Sequence, residues 1–346
     1  METIKKTVQG FILLDIDNAA LNNLGKDATT THENAVAVKK LVKDGKTYPY
    51  ISGQAWRYWW RETLALDYNW QLSPVVREKK VAYTSADPIK YPDDDLFGYM
   101  RAQKGTDGGT LTRISPLKNS ALIAVAPTRP VNEWSVMARM EGDPVPYEKQ
   151  VYGCIMKGMF SIDLDETGTY YTQNRSGFHN INGDLIKKAL ESGSEKIDDP
   201  IVRGKDGQPL PRYRLPYDVR LGRVQDVLNA LFTLAGGAKR TTNFADVTPK
   251  LIVLALQKGG NHPFSHLAVA EGAAATFSLD ALQDVLQDYS DNFLSKIYVG
   301  RRTGFMDQLQ KPLQEFAQGN ENVKAGSIGE TISAFLKEAL KSGIPE

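Results

Sequence analysis

Residues 8–17 read VQGFILLDID. Val8, Phe11, Ile12, Leu13, Leu14 and Ile16 make an apolar run too continuous for an exposed edge, so the segment predicts a strand covered on both faces. Working outward, Ser52 precedes AWRYWWRETLAL and is placed to cap a helix over residues 52–67, with Trp56, Trp59, Trp60 and Leu64 on a broad packing face. Residues 118–126, containing SALIAVA, and 151–163, VYGCIMKGMFSID, each predict a strand. Residues 219–234 carry Val224, Val227, Leu228, Leu231 and Leu234 at helical spacing, and Gly236-Gly237 closes that helix. LIVLAL, within residues 250–257, supplies a last strand. The order strand, helix, strand, strand, helix, strand defines an α+β class with a modified RRM-like or ferredoxin-like core.

Between these elements lie long insertions, residues 18–50, 68–117, 127–150 and 164–218, followed by residues 258–346, which read as helical. Within the first, the turn pair Asp44-Gly45 between LV and YPYI predicts a small hairpin. Pro209, Pro211 and Pro216 argue against a continuous helix before residue 217.

The chain has 346 residues, 41% of them hydrophobic, enough for one large domain with insertions. Its 42 Lys and Arg against 41 Asp and Glu give a charge of +1, so any nucleic-acid surface must be local. A single cysteine, Cys154, excludes an internal disulfide and CxxC sites. With no apolar leader or long apolar run, the expectation is a cytoplasmic protein without a membrane partner.

Catalytic signals are sparse. GxSxG, the P-loop and the dinucleotide-binding glycine pattern are all missing from the sequence. Of four histidines, His262 and His266 stand one turn apart in HPFSH without the glutamate of HExxH, and packing is their plainer role. Asp15, Asp17 and Asp27 lie at a strand end and its loop, where carboxylates are able to hold a divalent cation beside a phosphodiester. Basic residues make a better pattern: Lys39, Lys40, Lys43, Lys46, Arg57 and Arg61 are opposed in that window only by Asp44. Lys239-Arg240-Thr241-Thr242-Asn243-Phe244 follows the glycine pair and projects donors and a ring. Trp134, Met137 and Met140 flank Arg139, suiting either splayed bases or a neighbouring protomer.

YPYISGQAWRYWWRETL at residues 48–64, SPLKNSALIAVAP at 115–127, WSVMARMEGDPVPYEKQVY at 134–152 and GGAKRTTNFADVTPKLIVLA at 236–255 together resemble the Cas7 backbone subunits of type I CRISPR effector complexes. The resemblance is to their DevR/Csa2-like branch, with subtype I-B nearest. It implies a palm with fingers (residues 68–117) and a thumb (residues 127–150), stacking head-to-tail with other copies along the CRISPR RNA spacer in a Cascade complex. Each thumb would displace one guide nucleotide, leaving short segments to pair with target DNA. Cas5, Cas6, a Cas8-like subunit and a small subunit are the implied partners, and no cofactor or metal is implied.

Carried onto this chain, Asn34, Lys39, Lys40, Ser52, Gln54, Arg57 and Arg61 would hold guide phosphates, with Lys239, Arg240 and Asn243 across the path. Arg129, Trp134, Met137 and Arg139 would belong to the thumb, Met137 as the wedge. Residues 165–183 are a candidate for a second projecting hairpin, and Asp93–Asp95 for an acidic outer or inter-subunit surface. Two alternatives stand beside this non-catalytic reading. One is a metal-dependent target-RNA endonuclease of the type III kind using Asp27, and the other a regulatory or interaction protein without direct RNA contact.

Overall fold

A computed structural model describes residues 5–25, 35–78, 81–103, 109–173 and 177–345. Strand β1 (Lys6–Ala19) is buried along most of its length, as its apolar run requires. It is followed by the short strands β2 (Ala35–Val38), β3 (Lys40–Lys43) and β4 (Lys46–Ile51). β3 and β4 form the expected hairpin, with Asp44 and Gly45 both at positive φ, 51° and 71°. Helix α1 (Gly53–Asp67) starts on Ser52, whose hydroxyl accepts the Ala55 N–H at 3.3 Å. Then come the one-and-a-half-turn helix α2 (Pro92–Phe97), strand β5 (Leu122–Ala124), strand β6 (Val131–Met137) and the long strand β7 (Val145–Asp163). Helix α3 (Tyr217–Asn229), strands β8 (Leu251–Lys258), β9 (Ile297–Arg301) and β10 (Val323–Gly326), and helix α4 (Ile328–Phe335) complete the frame.

At the centre, β1 pairs antiparallel with β7 on one side, Phe11 opposite Met159, and with β8 on the other, Ile12 opposite Ile252. β7 in turn pairs antiparallel with β5, so the spatial order is β8, β1, β7, β5. β9 and β10 extend the sheet beyond β8, and β4 and β3 extend it beyond β5. The result is a mixed α+β protein on a sheet core.

α1 and α3 cover one face. The Trp56 and Trp60 rings stack at 5.3 Å and both meet Phe160 edge-on, while the Trp60 indole N–H donates to the Val227 carbonyl at 2.9 Å. The Phe160 ring lies over Gly10, where a Cβ would sit 2.1 Å from it, so glycine is required for this packing. The opposite face, with Phe11, Leu13, Val253 and Val299, is closed by Phe264, Leu267, Phe277 and Leu282. His262 bridges the sheet to this layer, its Nε2 lying 3.0 Å from the Gly10 carbonyl and 3.2 Å from that of Phe160.

Three expectations change. Residues 258–346 are not simply helical: β9 and β10 widen the sheet and Ala268–Glu271 with Ala274–Phe277 makes a hairpin, because their runs of four or five residues are too short for a helix. The described part of residues 165–183 is not a projecting hairpin: Thr172 and His179 form an antiparallel bridge, but Tyr170, Asn180 and Ile181 are buried. Thr169–Tyr171 pairs instead with Pro209–Arg214, and Tyr170 is wholly buried in a small third core with Tyr99, Leu111 and Tyr213. Asp93, Asp94 and Asp95 form no acidic surface, since they lie in α2 at 5%, 1% and 0% exposure. Asp95 is paired to Arg113 and, at 2.5 Å, to Arg223, and also accepts the Gly168 N–H. Asp94 accepts the Asp87 N–H and Asp93 the Ser73 N–H, each at 2.9 Å. Burial of these carboxylates is sustained by fixed donors.

Candidate nucleic-acid interface

The start of α1 opens onto a cavity of about 990 Å³ lined by Ser52, Gln54, Arg57 and Arg61 together with Met100 and Lys118. Four of the residues singled out in the sequence therefore share one surface. They are not equivalent. The two terminal nitrogens of Arg57 donate to the Leu117 carbonyl at 2.7 Å, Asn119 Oδ1 at 2.9 Å, the Phe97 carbonyl at 2.8 Å and Ser115 Oγ at 2.8 Å. This guanidinium clamps α1 to the end of α2 and to residues 115–119, and burial beside Arg61 pushes it down to about 10. Arg61 lies over the Phe97 ring, 4.3 Å from its centroid, and makes no hydrogen bond among the described residues. Arg61 and the exposed Lys118 are thus the cations this cavity offers. Lys118 stands out in the structure alone, for in the sequence it is one lysine inside SPLKN.

β6 and the first half of β7 form a hairpin on the sheet, running from Val131 opposite Val151 to Met137 opposite Val145. Its return strand is continuous with the core strand, so the arm is fixed at its base. β2 supports the same base, Ala35 pairing with Glu148 in parallel. There, Lys40, Thr47, Arg129, Asn132 and Gln150 line a second cavity of about 480 Å³. Gln150 organises it: its Oε1 accepts the Val38 N–H at 3.3 Å and lies 3.5 Å from Lys40 Nζ, and its Nε2 donates to Asn132 Oδ1 at 3.1 Å. Trp134 and Met137 are 55% and 52% exposed, but their register sets them on opposite faces of the arm. Arg139 is exposed in the turn at the tip.

The segment after α3 is held elsewhere. Gly236 lies on the Trp59 indole, where a Cβ would be 2.1 Å from the ring, and Gly237 turns the chain at φ 101°. Ala238 N–H then donates to the Leu21 carbonyl at 2.9 Å, tying Lys239, Arg240 and Asn243 to the end of β1. Lys239 adopts φ 53°, and Asn243 Oδ1 accepts from Thr242. The basic residues of the sequence are thus divided among three places: Arg61 in the large cavity, Lys40 and Arg129 at the arm's base, Lys239 and Arg240 by β1. Lys39 is half-buried, its carbonyl accepting the Tyr50 N–H at 3.0 Å. Asn34 and Asp27 lie outside the described residues.

Asp15 and Asp17 border a cavity of about 520 Å³ on the face away from α1, with Cys154 and Met306. Burial, then the neighbouring Asp17, raises Asp15, and burial pushes the Cys154 thiol up to about 12. Among the described residues, no three His, Cys, Asp or Glu side chains are grouped to hold a metal ion. No helix among them is long and apolar enough to cross a membrane.

The fold and its cation-bearing edges define an α+β protein with a projecting arm. A family model described as "CRISPR-associated negative auto-regulator DevR/Csa2" matches residues 14–271, and the chain belongs to that family. Among solved structures it is similar to a chain of a "CRISPR RNA-guided surveillance complex", with TM-score 0.56 and 12% identity over 96% of this chain and 100% of that one. A chain from a "CRISPR RNA-guided surveillance complex, pre-nicking" gives TM-score 0.55 and 11% identity over 95% and 99%. At these identities the likeness is one of fold. No curated protein matches.

Proposed function

We propose that the chain is a Cas7-like backbone subunit that binds CRISPR RNA without cleaving it and presents it for pairing with target DNA. The observation that carries this is the arm: a hairpin whose return strand runs on into the core, with Lys40 and Arg129 around one cavity at its base and Trp134 and Met137 exposed along it. Cations at a root and apolar side chains on a projecting strand suit a phosphate path interrupted by a wedge. On this reading residues 127–150 are the thumb, residues 68–117 the fingers, and the order β8, β1, β7, β5 with α1 and α3 on one face is a ferredoxin-like, RRM-like core. Ser52, Gln54, Arg61, Lys118, Lys239 and Arg240 extend the RNA surface, while Arg57 supports it from behind. Copies would join head-to-tail along the guide beside Cas5, Cas6, Cas8-like and small subunits, in a complex of subtype I-B.

Fluorescence anisotropy with a labelled single-stranded RNA tests the reading. Affinity should fall steeply and linearly with the logarithm of salt concentration, and Arg129→Ala should lower both affinity and slope. Wild-type protein that binds no RNA at low salt would contradict it.

A further inference from the structure

We infer that the exposed ring of Phe244 is a stacking platform for a nucleobase of single-stranded RNA, set beside Lys239 and Arg240; this rests on the RNA-binding reading above. Phe244 is 83% exposed. Its loop is nevertheless built, not slack: Gly236 is seated on Trp59, Ala238 is bonded to Leu21, and the N–H groups of Asn243 and Phe244 close a turn on the carbonyls of Lys239 and Arg240 at 3.0 and 3.1 Å.

Charge around the ring is uncompensated. The one carboxylate of this stretch, Asp246, takes Lys250 Nζ at 2.6 Å and the Thr248 N–H and hydroxyl at 2.8 and 2.6 Å. Lys239 and Arg240 are left without a local acid. One residue beyond the carbonyl that holds Ala238, Asn22 is 8% exposed and neither atom of its amide has a partner. A buried amide with donors and acceptor both unspent is a standing cost unless a ligand meets it.

Phosphates suit the two cations, a base face suits the ring, and a base edge suits an amide. A protein partner would fit less well, because exposed Thr241 and Thr242 surround Phe244 with polar groups in place of an apolar patch. Every base has a π-face, so the platform would tolerate any guide sequence.

The test is anisotropy on the full chain with single-stranded RNA, comparing wild type with Phe244→Ala, Phe244→Trp and Arg240→Ala over a salt series. Phe244→Ala should weaken binding about 5- to 140-fold with an unchanged salt slope, Phe244→Trp should restore it, and Arg240→Ala should flatten the slope. An RNA carrying 2-aminopurine at successive positions should show quenching at a defined position that Phe244→Ala abolishes. Equal affinity for wild type and Phe244→Ala overturns the assignment. So does loss of particle mass in Phe244→Ala at unchanged RNA affinity, which would place the ring at a protein contact. If wild type itself binds no RNA, the functional reading fails and takes this inference with it.

Discussion

Arginines around α2 and cations at the base of the arm look alike in the sequence, yet they are opposite in kind. Arg57, Arg113 and Arg223 spend their donors on carbonyls, Asp95 and neighbouring side chains, and hold three chain segments together. Lys40 and Arg129 instead border an open cavity at the base of the arm, where Lys40 Nζ lies 3.5 Å from Gln150 Oε1. The difference teaches that a cation beside tryptophans is a clamp when buried carbonyls converge on it and a receptor when they do not.

The largest effect should come from the clamp. Asp95→Ala strands two buried guanidinium groups and should cost about 3–5 kcal/mol in denaturant unfolding; an unchanged midpoint would break the comparison at its strongest point. Arg57→Ala should lower stability by about 1–3 kcal/mol, and Arg57→Lys should fail to restore it, since one ammonium cannot replace a fork reaching four acceptors. At the arm the signs reverse. Arg129→Ala and Lys40→Ala should leave the melting temperature in place while each reduces the salt slope of RNA binding by about 0.7. A stability loss without a binding loss would turn Arg129 and Lys40 into clamps too. Met137→Ala should fold normally and reduce only the distortion of bound guide, read as a changed pattern of nucleotide accessibility along the RNA.

The smallest effect is one of pH. Burial holds His262 below the usual imidazole range, and its Nδ1 has no acceptor, so protonation is penalised in the folded state. The folded group binds fewer protons than the unfolded one, and its contribution is present above about 6.5 and lost as pH falls below that value. His262→Gln should flatten the dependence of melting temperature on pH between 7 and 5; an equally steep curve would show that His262 is not its source.

The core was readable because its signals are local: the apolar run of β1, the capping serine of α1 and the turn pair Asp44-Gly45. α3 instead ends at Asn229, ahead of the glycine pair expected to close it, and Gly236-Gly237 serve the packing on Trp59 and the turn that follows. The burial of Asp93–Asp95 was not readable, since three consecutive carboxylates read as solvated until Arg113, Arg223 and scattered backbone donors converge on them from distant segments. For the same reason Arg57 read as a phosphate ligand, its four acceptors lying 40 to 62 residues away. Trp134 and Met137 stand close in the sequence as one apolar group, but the period of two that sets them on opposite faces became clear only with the register of the arm. The pairing of Thr169–Tyr171 with Pro209–Arg214 spans a whole insertion, a separation no local pattern encodes.

The central claim is tested most directly by purifying the protein from cells that also hold its neighbouring genes and a CRISPR array, then sequencing the bound RNA and measuring particle mass. The account predicts guide RNA of uniform length in a particle holding several copies of this chain. An RNA-free particle of fixed small size would contradict it.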